Sequence, residues 1–421
     1  MNSNEFNSND LDREERKTPW YKRSDTEIPD GYNPYKDDQS LFTEIYKENE
    51  QLFLGPEPLQ FETPELYGQR MEREKRATKR AALGKLKKAS GYVSALLLLF
   101  ILGREGLASS LGTVSELVSE KTYTILTDVF LILQYVAIAA VMIYVMTVGK
   151  KHKWFTYFQK PEVSGAFIAR WTLIAFGLVH AVALLSNILF ELIASLGVHI
   201  NDLNSPLPDG IWENVLYFIA VVVCAPIFEE LMFRGVILTS LSKFGGWFAI
   251  ITSGLLFGLF HMNHSQLLFA FAFGIILGFV DIRAKSIIPS IIAHAVFNGY
   301  SYLLGLVASF TNYEEMLIDP SLKLTGSTVA VGLYGVMNVL AYAAMLVAIA
   351  MIIFEIISNK VQFSLPKGEC GLSAGEKLST FISHPLTVTY LVLIFLMITV
   401  ISFVDIEAIY AMAEEMANQL Q

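Results

Sequence analysis

Seven side chains in the middle of the chain combine acid, base and hydrogen-bonding chemistry with apolar surroundings. Glu229 and Glu230 stand in APIFEELMFRG, deep in an apolar run, and Arg234 follows. On a helix, Glu230 and Arg234 are four apart with the acid N-terminal, the favourable order for an ion pair. Glu229 projects about 100° away from Glu230. One carboxylate is then neutralised locally while the other stays free to act as a base or to join a helix interface. Phe257 and His261 share a face in FGLFHMNH, and His294 and Asn298 share one in SIIPSIIAHAVFNG. These groups carry donors and acceptors that hydrocarbon cannot satisfy. Interhelical hydrogen bonding is the plainer use of such histidines and asparagines. Pro226 removes a backbone hydrogen bond one turn before the acids. A kink is expected there, with a freed carbonyl that must face protein or water.

The elements that carry these groups are membrane spans. The 421 residues are 53% hydrophobic and 17% charged, with mean hydropathy +0.46, against about 25% charged in soluble domains. A span needs about 20 apolar residues to cross about 30 Å. By that measure the sequence predicts an all-α, polytopic transmembrane bundle of about nine spans. They fall at 91–111, 124–148, 166–190, 212–238, 247–263, 266–281, 287–308, 328–356 and 386–405. Arg104 and Glu105 interrupt the first, and the fifth is short. Lysine and arginine collect at 70–88, at Lys150, Lys151 and Lys153, at Lys243, at Arg283 and Lys285, and at Lys360, Lys367 and Lys377, while the alternate loops hold few. The positive-inside rule then predicts a multi-pass protein of the cell membrane with a cytoplasmic N-terminus. Counted from that side, Glu229 lies roughly 15 Å deep, His261 roughly 20 Å and His294 roughly 10 Å. Those depths are compatible with one shared cavity.

Five regions follow: a largely disordered tail over 1–62, a basic juxtamembrane helix over 63–90, N-terminal spans over 91–210, a core over 211–308 and C-terminal spans over 309–421. The N-terminus reads as lacking a cleavable signal peptide. The net charge of −9 comes with no separate basic domain, so no nucleic-acid partner is expected. Cys224 and Cys370 are too few for a disulfide framework, and Cys224 is expected as a small buried hydrophobe. Arg170, Glu191 and Glu355 sit near expected span ends, where snorkelling suffices. His180 and Asn187 are seven apart and are candidates for lining the cavity.

In order, Glu229-Glu230-x-x-x-Arg234, Phe257-x-x-x-His261 and His294-x-x-x-Asn298 resemble the signature of the CAAX prenyl endopeptidase/Abi (CPBP) family, over roughly 212–306. The resemblance implies peptide-bond hydrolysis within the membrane. Glu229 is then expected to activate water, with His261 helping to position it. His294 and Asn298 are expected at the oxyanion, Glu230 and Arg234 as structural support, and Phe257 as packing. The cofactor is expected to be either none or a divalent metal such as zinc, for which Glu229, His261 and His294 are the ligand set. The partners are a peptide or protein substrate and the bilayer. The alternative is a non-catalytic scaffold that keeps the fold and binds a membrane partner protein. A transporter is expected to show an internal repeat of broken helices, and the polar trio occurs once.

Overall fold

The computed structural model describes residues 64–115, 117–144, 154–197, 207–208, 210–312, 321, 323–358, 363–365, 368 and 371–403. The expected tail over 1–62, the lysines at 150, 151 and 153, and Cys370 lie outside the described residues. Helices dominate the described residues, and the β-pairing among them is an isolated bridge between Thr311 and Gly326. In chain order the helices are α1 (Pro64–Ser115), α2 (Glu120–Tyr144), α3 (Gly165–Ser195), α4 (Ile211–Ser242), α5 (Gly246–Phe260), α6 (His264–Ala284), α7 (Ile288–Ala308), α8 (Thr328–Ile357), α9 (Ala374–Ile382) and α10 (Pro385–Phe403). Among the described residues seven helices are long and apolar enough to cross a membrane: α1, α3, α4, α6, α7, α8 and α10. The other two expected spans form as α2 and as α5, which at 15 residues is about 22 Å long.

The N-terminal helix departs from the expected division. Pro64 opens α1, with Glu65 in its first turn, and the helix runs 52 residues without a break. The basic stretch therefore continues the axis of the first span. It is not a separate helix turned onto the headgroups. Helix propensity explains this, because 70–90 is rich in Arg, Lys, Glu, Ala and Leu and has no helix breaker but Gly84. The span half of α1 is tied to α9 and α10 by buried hydroxyls. Ser90 donates to the Phe381 carbonyl at 2.7 Å, and Thr387 lies 2.9 Å from Ser90 and 2.7 Å from Ser94.

Helices α5 and α6 pack closely, and small residues are the reason. A Cβ on Gly274 would lie 2.7 Å from the Gly254 Cα, and one on Gly258 would lie 2.6 Å from the Leu267 carbonyl oxygen. Lipid supplies no hydrophobic drive between helices, so close backbone approach is what binds them. The turn between them is fixed by Met262, at φ 57°, and by Asn263, whose side chain accepts from the Gln266 N–H at 2.7 Å. Helix α3 packs on α6, α7 and α8. It joins α8 through Arg170, whose Nη1 is 2.7 Å from Glu355 Oε1. Glu355 is 2% exposed and the Arg170 side chain 37%, so Glu355 is held in an interhelical pair and does not snorkel, while Arg170 reaches it from the helix surface. Glu191 is exposed.

Candidate active site

Helix α4 carries the acids and is irregular around them. Its α-helical turns are interrupted by π-helical stretches at Ile219–Cys224 and Leu231–Leu238, on either side of Ala225–Glu230. Pro226 accounts for the first. The Ala225 N–H bonds to the Ala220 carbonyl, five residues back, and in that register residue 226 faces the Val221 carbonyl. Proline has no N–H to give. The Val221 carbonyl instead accepts from Asn298 Nδ2, on α7, at 2.8 Å. The kink expected from Pro226 is thus a change of helical register, and the freed carbonyl is satisfied by protein. Cys224, at the end of this stretch, is half-buried, not fully buried as expected.

The two acids diverge as their spacing implies. Glu230 is fully buried and receives two partners: Arg234 Nε at 3.0 Å and His294 Nδ1 at 2.8 Å. Arg234 is fully buried too, and its guanidinium lies over the Phe257 ring, 4.5 Å from the centroid. Phe257 stands between the histidines. The His261 ring meets it edge-on at 4.9 Å and the His294 ring at 5.7 Å. Phe273, from α6, closes the other side of His294 at 5.5 Å. Glu229 faces away from Arg234. Its Oε1 accepts from the Tyr135 hydroxyl of α2 at 3.2 Å, and its Oε2 lies 4.0 Å from His294 Nε2.

The hydrogen bonds place a proton on Nδ1 of each imidazole. His261 Nδ1 donates to the Phe257 carbonyl at 2.8 Å, because a carbonyl can only accept. Its Nε2 keeps a lone pair. His294 Nδ1 donates to Glu230, which directs its Nε2 at Glu229. The structure therefore gathers Glu229, Glu230, Arg234, Phe257, His261 and His294 at one point among α4, α5 and α7. Asn298 lies one turn beyond His294 on α7. One amide hydrogen is engaged on Val221, and the second remains for another acceptor.

Some expected neighbours are elsewhere. His180 bonds to the Phe176 carbonyl at 2.7 Å and is packed among Phe176, Phe297 and Tyr300, while Asn187 is exposed. Neither reaches the acids. Among the described residues no group of three or more His, Cys, Asp or Glu side chains is disposed to hold a metal ion. The set Glu229, His261 and His294 is not among such groups, although the Nδ1 bond to Glu230 leaves His294 Nε2 directed into the site.

Sequence reasoning passed over three participants. Tyr135 sends no signal, since tyrosines are common in spans. Asp281 lies at the edge of the expected span 266–281, yet it is fully buried. Ser290, also buried, is one turn before His294 on the same helix face. An acid and a serine at apolar-run positions were the available signals.

Fold and site together define an all-helical, multi-pass membrane protein with a buried polar centre of carboxylates, histidines and an arginine. Residues 211–300 match the family model described as Rce1-like, type II CAAX prenyl endopeptidase, in agreement with the resemblance to the CPBP family that the signature residues carry. The matched segment contains all seven signature residues and leaves α1–α3 and α8–α10 outside it. No curated protein and no solved structure matches the chain.

Proposed function

We propose that this chain is an intramembrane endopeptidase that hydrolyses a peptide bond of a membrane-associated substrate with Glu229 as the base. The observation that carries this reading is the 4.0 Å separation between Glu229 Oε2 and His294 Nε2, with both side chains held from behind. That distance is too long for a direct hydrogen bond and suits two groups that meet across a reacting oxygen. Tyr135 orients Glu229 and Glu230 orients His294.

In this mechanism Glu229 takes one proton from water, and the His261 Nε2 lone pair accepts a hydrogen bond from the hydrogen that stays on the oxygen. The hydroxide oxygen adds to the scissile carbonyl carbon. The carbonyl oxygen becomes an oxyanion and is met by protonated His294 Nε2 and by the second amide hydrogen of Asn298. Glu229 then delivers its proton to the leaving nitrogen, the C–N bond breaks, and a carboxylic acid and an amine leave. Glu230 and Arg234 hold α4 and the His294 ring and touch no substrate. Donors prealigned on an oxyanion are worth about 3–4 kcal/mol each in a site of this kind. The chain's residues carry every proton in this scheme, so no metal takes part in it.

The test uses the purified full chain and a labelled peptide library. Glu229→Gln is expected to slow cleavage by roughly 100- to 10,000-fold, the usual worth of a general base. His294→Ala is expected to slow it by roughly 100- to 1,000-fold. A chelator is expected to leave the wild-type rate unchanged. Cleavage at the wild-type rate in both variants refutes the site and favours a scaffold that keeps the fold. Loss of cleavage with chelator refutes the metal-free scheme.

A further inference from the structure

The first turn of α7 sets the height at which His294 and Asn298 reach the site, yet it lacks a cap of its own. Its N-cap residue is Ile287, which makes no side-chain cap hydrogen bond, and Pro289 has no N–H to donate. Two side chains from outside the helix take the remaining donors. Ser286 Oγ accepts from the Ile288 N–H at 3.2 Å and itself donates to the Gln159 carbonyl at 2.7 Å. Asp281 Oδ1, from α6, accepts from the Ser290 N–H at 3.3 Å. Asp281 is fully buried, its Oδ2 has no hydrogen-bond partner among the described residues, and Glu230 and Arg234 of α4 lie within electrostatic reach of it. Ser290 is one helical turn before His294 and on the same face.

We propose that Asp281 is a positioning residue, which pins the first turn of α7 through the Ser290 N–H and so fixes where His294 stands between Glu230 and Glu229. The site leaves little latitude for error. The His294 Nδ1–Glu230 bond is 2.8 Å and the gap to Glu229 is 4.0 Å, so a small slide of α7 along α6 either breaks the first or closes the second. Asn298 rides on the same helix and moves with it. The acceptor oxygen matters here and the negative charge does not, so asparagine serves in place of aspartate.

The kinetic arm of the test rests on the endopeptidase reading, and the spectroscopic arm does not. Asp281→Asn, Asp281→Leu and Asp281→Ala are made in the full chain. Asparagine and leucine are both uncharged and nearly equal in size, and only asparagine accepts a hydrogen bond. The alanine variant keeps the comparison open where leucine does not fold. Cleavage of a labelled peptide gives kcat and KM. The 15N spectrum of the histidine side chains, with His294→Gln to assign the signal, reports whether the His294 Nδ1–H is hydrogen-bonded. Leucine and alanine are expected to lower kcat by roughly 10- to 100-fold with KM within about twofold of wild type. They are also expected to lose the signature of an Nδ1–H hydrogen-bonded to Glu230. Asparagine is expected to keep kcat within about threefold and to keep the signature. A leucine or alanine variant with wild-type kcat and spectrum overturns the proposal, and so does an asparagine variant as slow as leucine. Lost rate with an unchanged His294 signal also overturns it, since the effect then bypasses the imidazole. Should the wild type itself cleave nothing, the protease reading fails and the imidazole spectra alone decide the role of Asp281.

Discussion

At the scale of single residues, the centre is a charge problem that Glu230 and Arg234 solve together. Both side chains are fully buried, and both would be costly alone. Removing one partner leaves an uncompensated charge in a place water does not reach. Glu230→Ala is therefore expected to destabilise the protein by about 3–5 kcal/mol, read by equilibrium unfolding in mixed micelles. The double variant Glu230→Leu with Arg234→Met is expected to lose much less, since it removes both desolvation costs at once. Equal losses in the single and double variants would show that Glu230 acts through His294 alone. Sequence made this pair legible, because an acid and a base four residues apart on a helix point the same way whatever surrounds them. It could not show that Glu230 also takes the His294 imidazole. That bond joins residues 64 apart and exists only once α4 and α7 are side by side.

At the scale of elements, the register of α4 depends on a group from another helix. Pro226 withholds the N–H that the Val221 carbonyl needs, and Asn298 supplies one across the helix interface. Asn298→Leu is expected to cost about 1–3 kcal/mol, the usual penalty for an orphaned buried carbonyl. In a Pro226→Ala background the same change is expected to cost little, because the substituted alanine brings its own N–H. Equal costs in the two backgrounds, measured as a double-mutant cycle in micelles, would mean that the carbonyl does not depend on Asn298. A second element with a clear dependence is α9. Ser373 and Glu376 form a capping box, and Lys79 of α1 pairs with Glu376. The Lys79 hydrogen bond, and then the Ser373 N–H, hold the Glu376 carboxyl below its ordinary value of 4.5. A carboxylate with a depressed native pKa stabilises above its unfolded pKa, and this contribution is lost as pH falls through the native one. Glu376→Gln is thus expected to speed proteolysis around α9 at pH 7. The gap from wild type is expected to close as the medium is acidified below about pH 4.5. A gap that persists in acid would assign the effect to packing.

At the scale of the whole molecule, the contacts sort the helix ends into two groups. One group joins Lys79 to Glu376, Glu162 to Lys285, Arg170 to Glu355 and Trp247 to the Phe363 carbonyl. Rings tie these together through Trp171, Phe279 and Phe363, and through Phe248 and Phe381. The other group joins Lys121 to Glu213, Tyr302 to Asn214, and His264 to Ser402 and Phe190. The first group contains the loops rich in lysine and arginine, which is why charge and hydropathy made the alternation of spans readable from sequence. They could not reveal that α1 is one continuous helix, because the basic and apolar halves differ in solvent and not in helix propensity. The same sorting makes orientation testable. In a chain whose two cysteines are replaced, single cysteines at Lys243 and Lys285 probe the basic end, and those at Lys121 and Asn312 probe the other. A membrane-impermeant thiol reagent applied to intact cells is expected to label positions 121 and 312 at once, and 243 and 285 only after permeabilisation. The reverse pattern places the basic end outside and inverts the side from which a substrate reaches Glu229. Labelling of both sets from one side overturns the two-ended bundle itself, because α4 and α7 then cannot run in opposite senses past a shared polar centre.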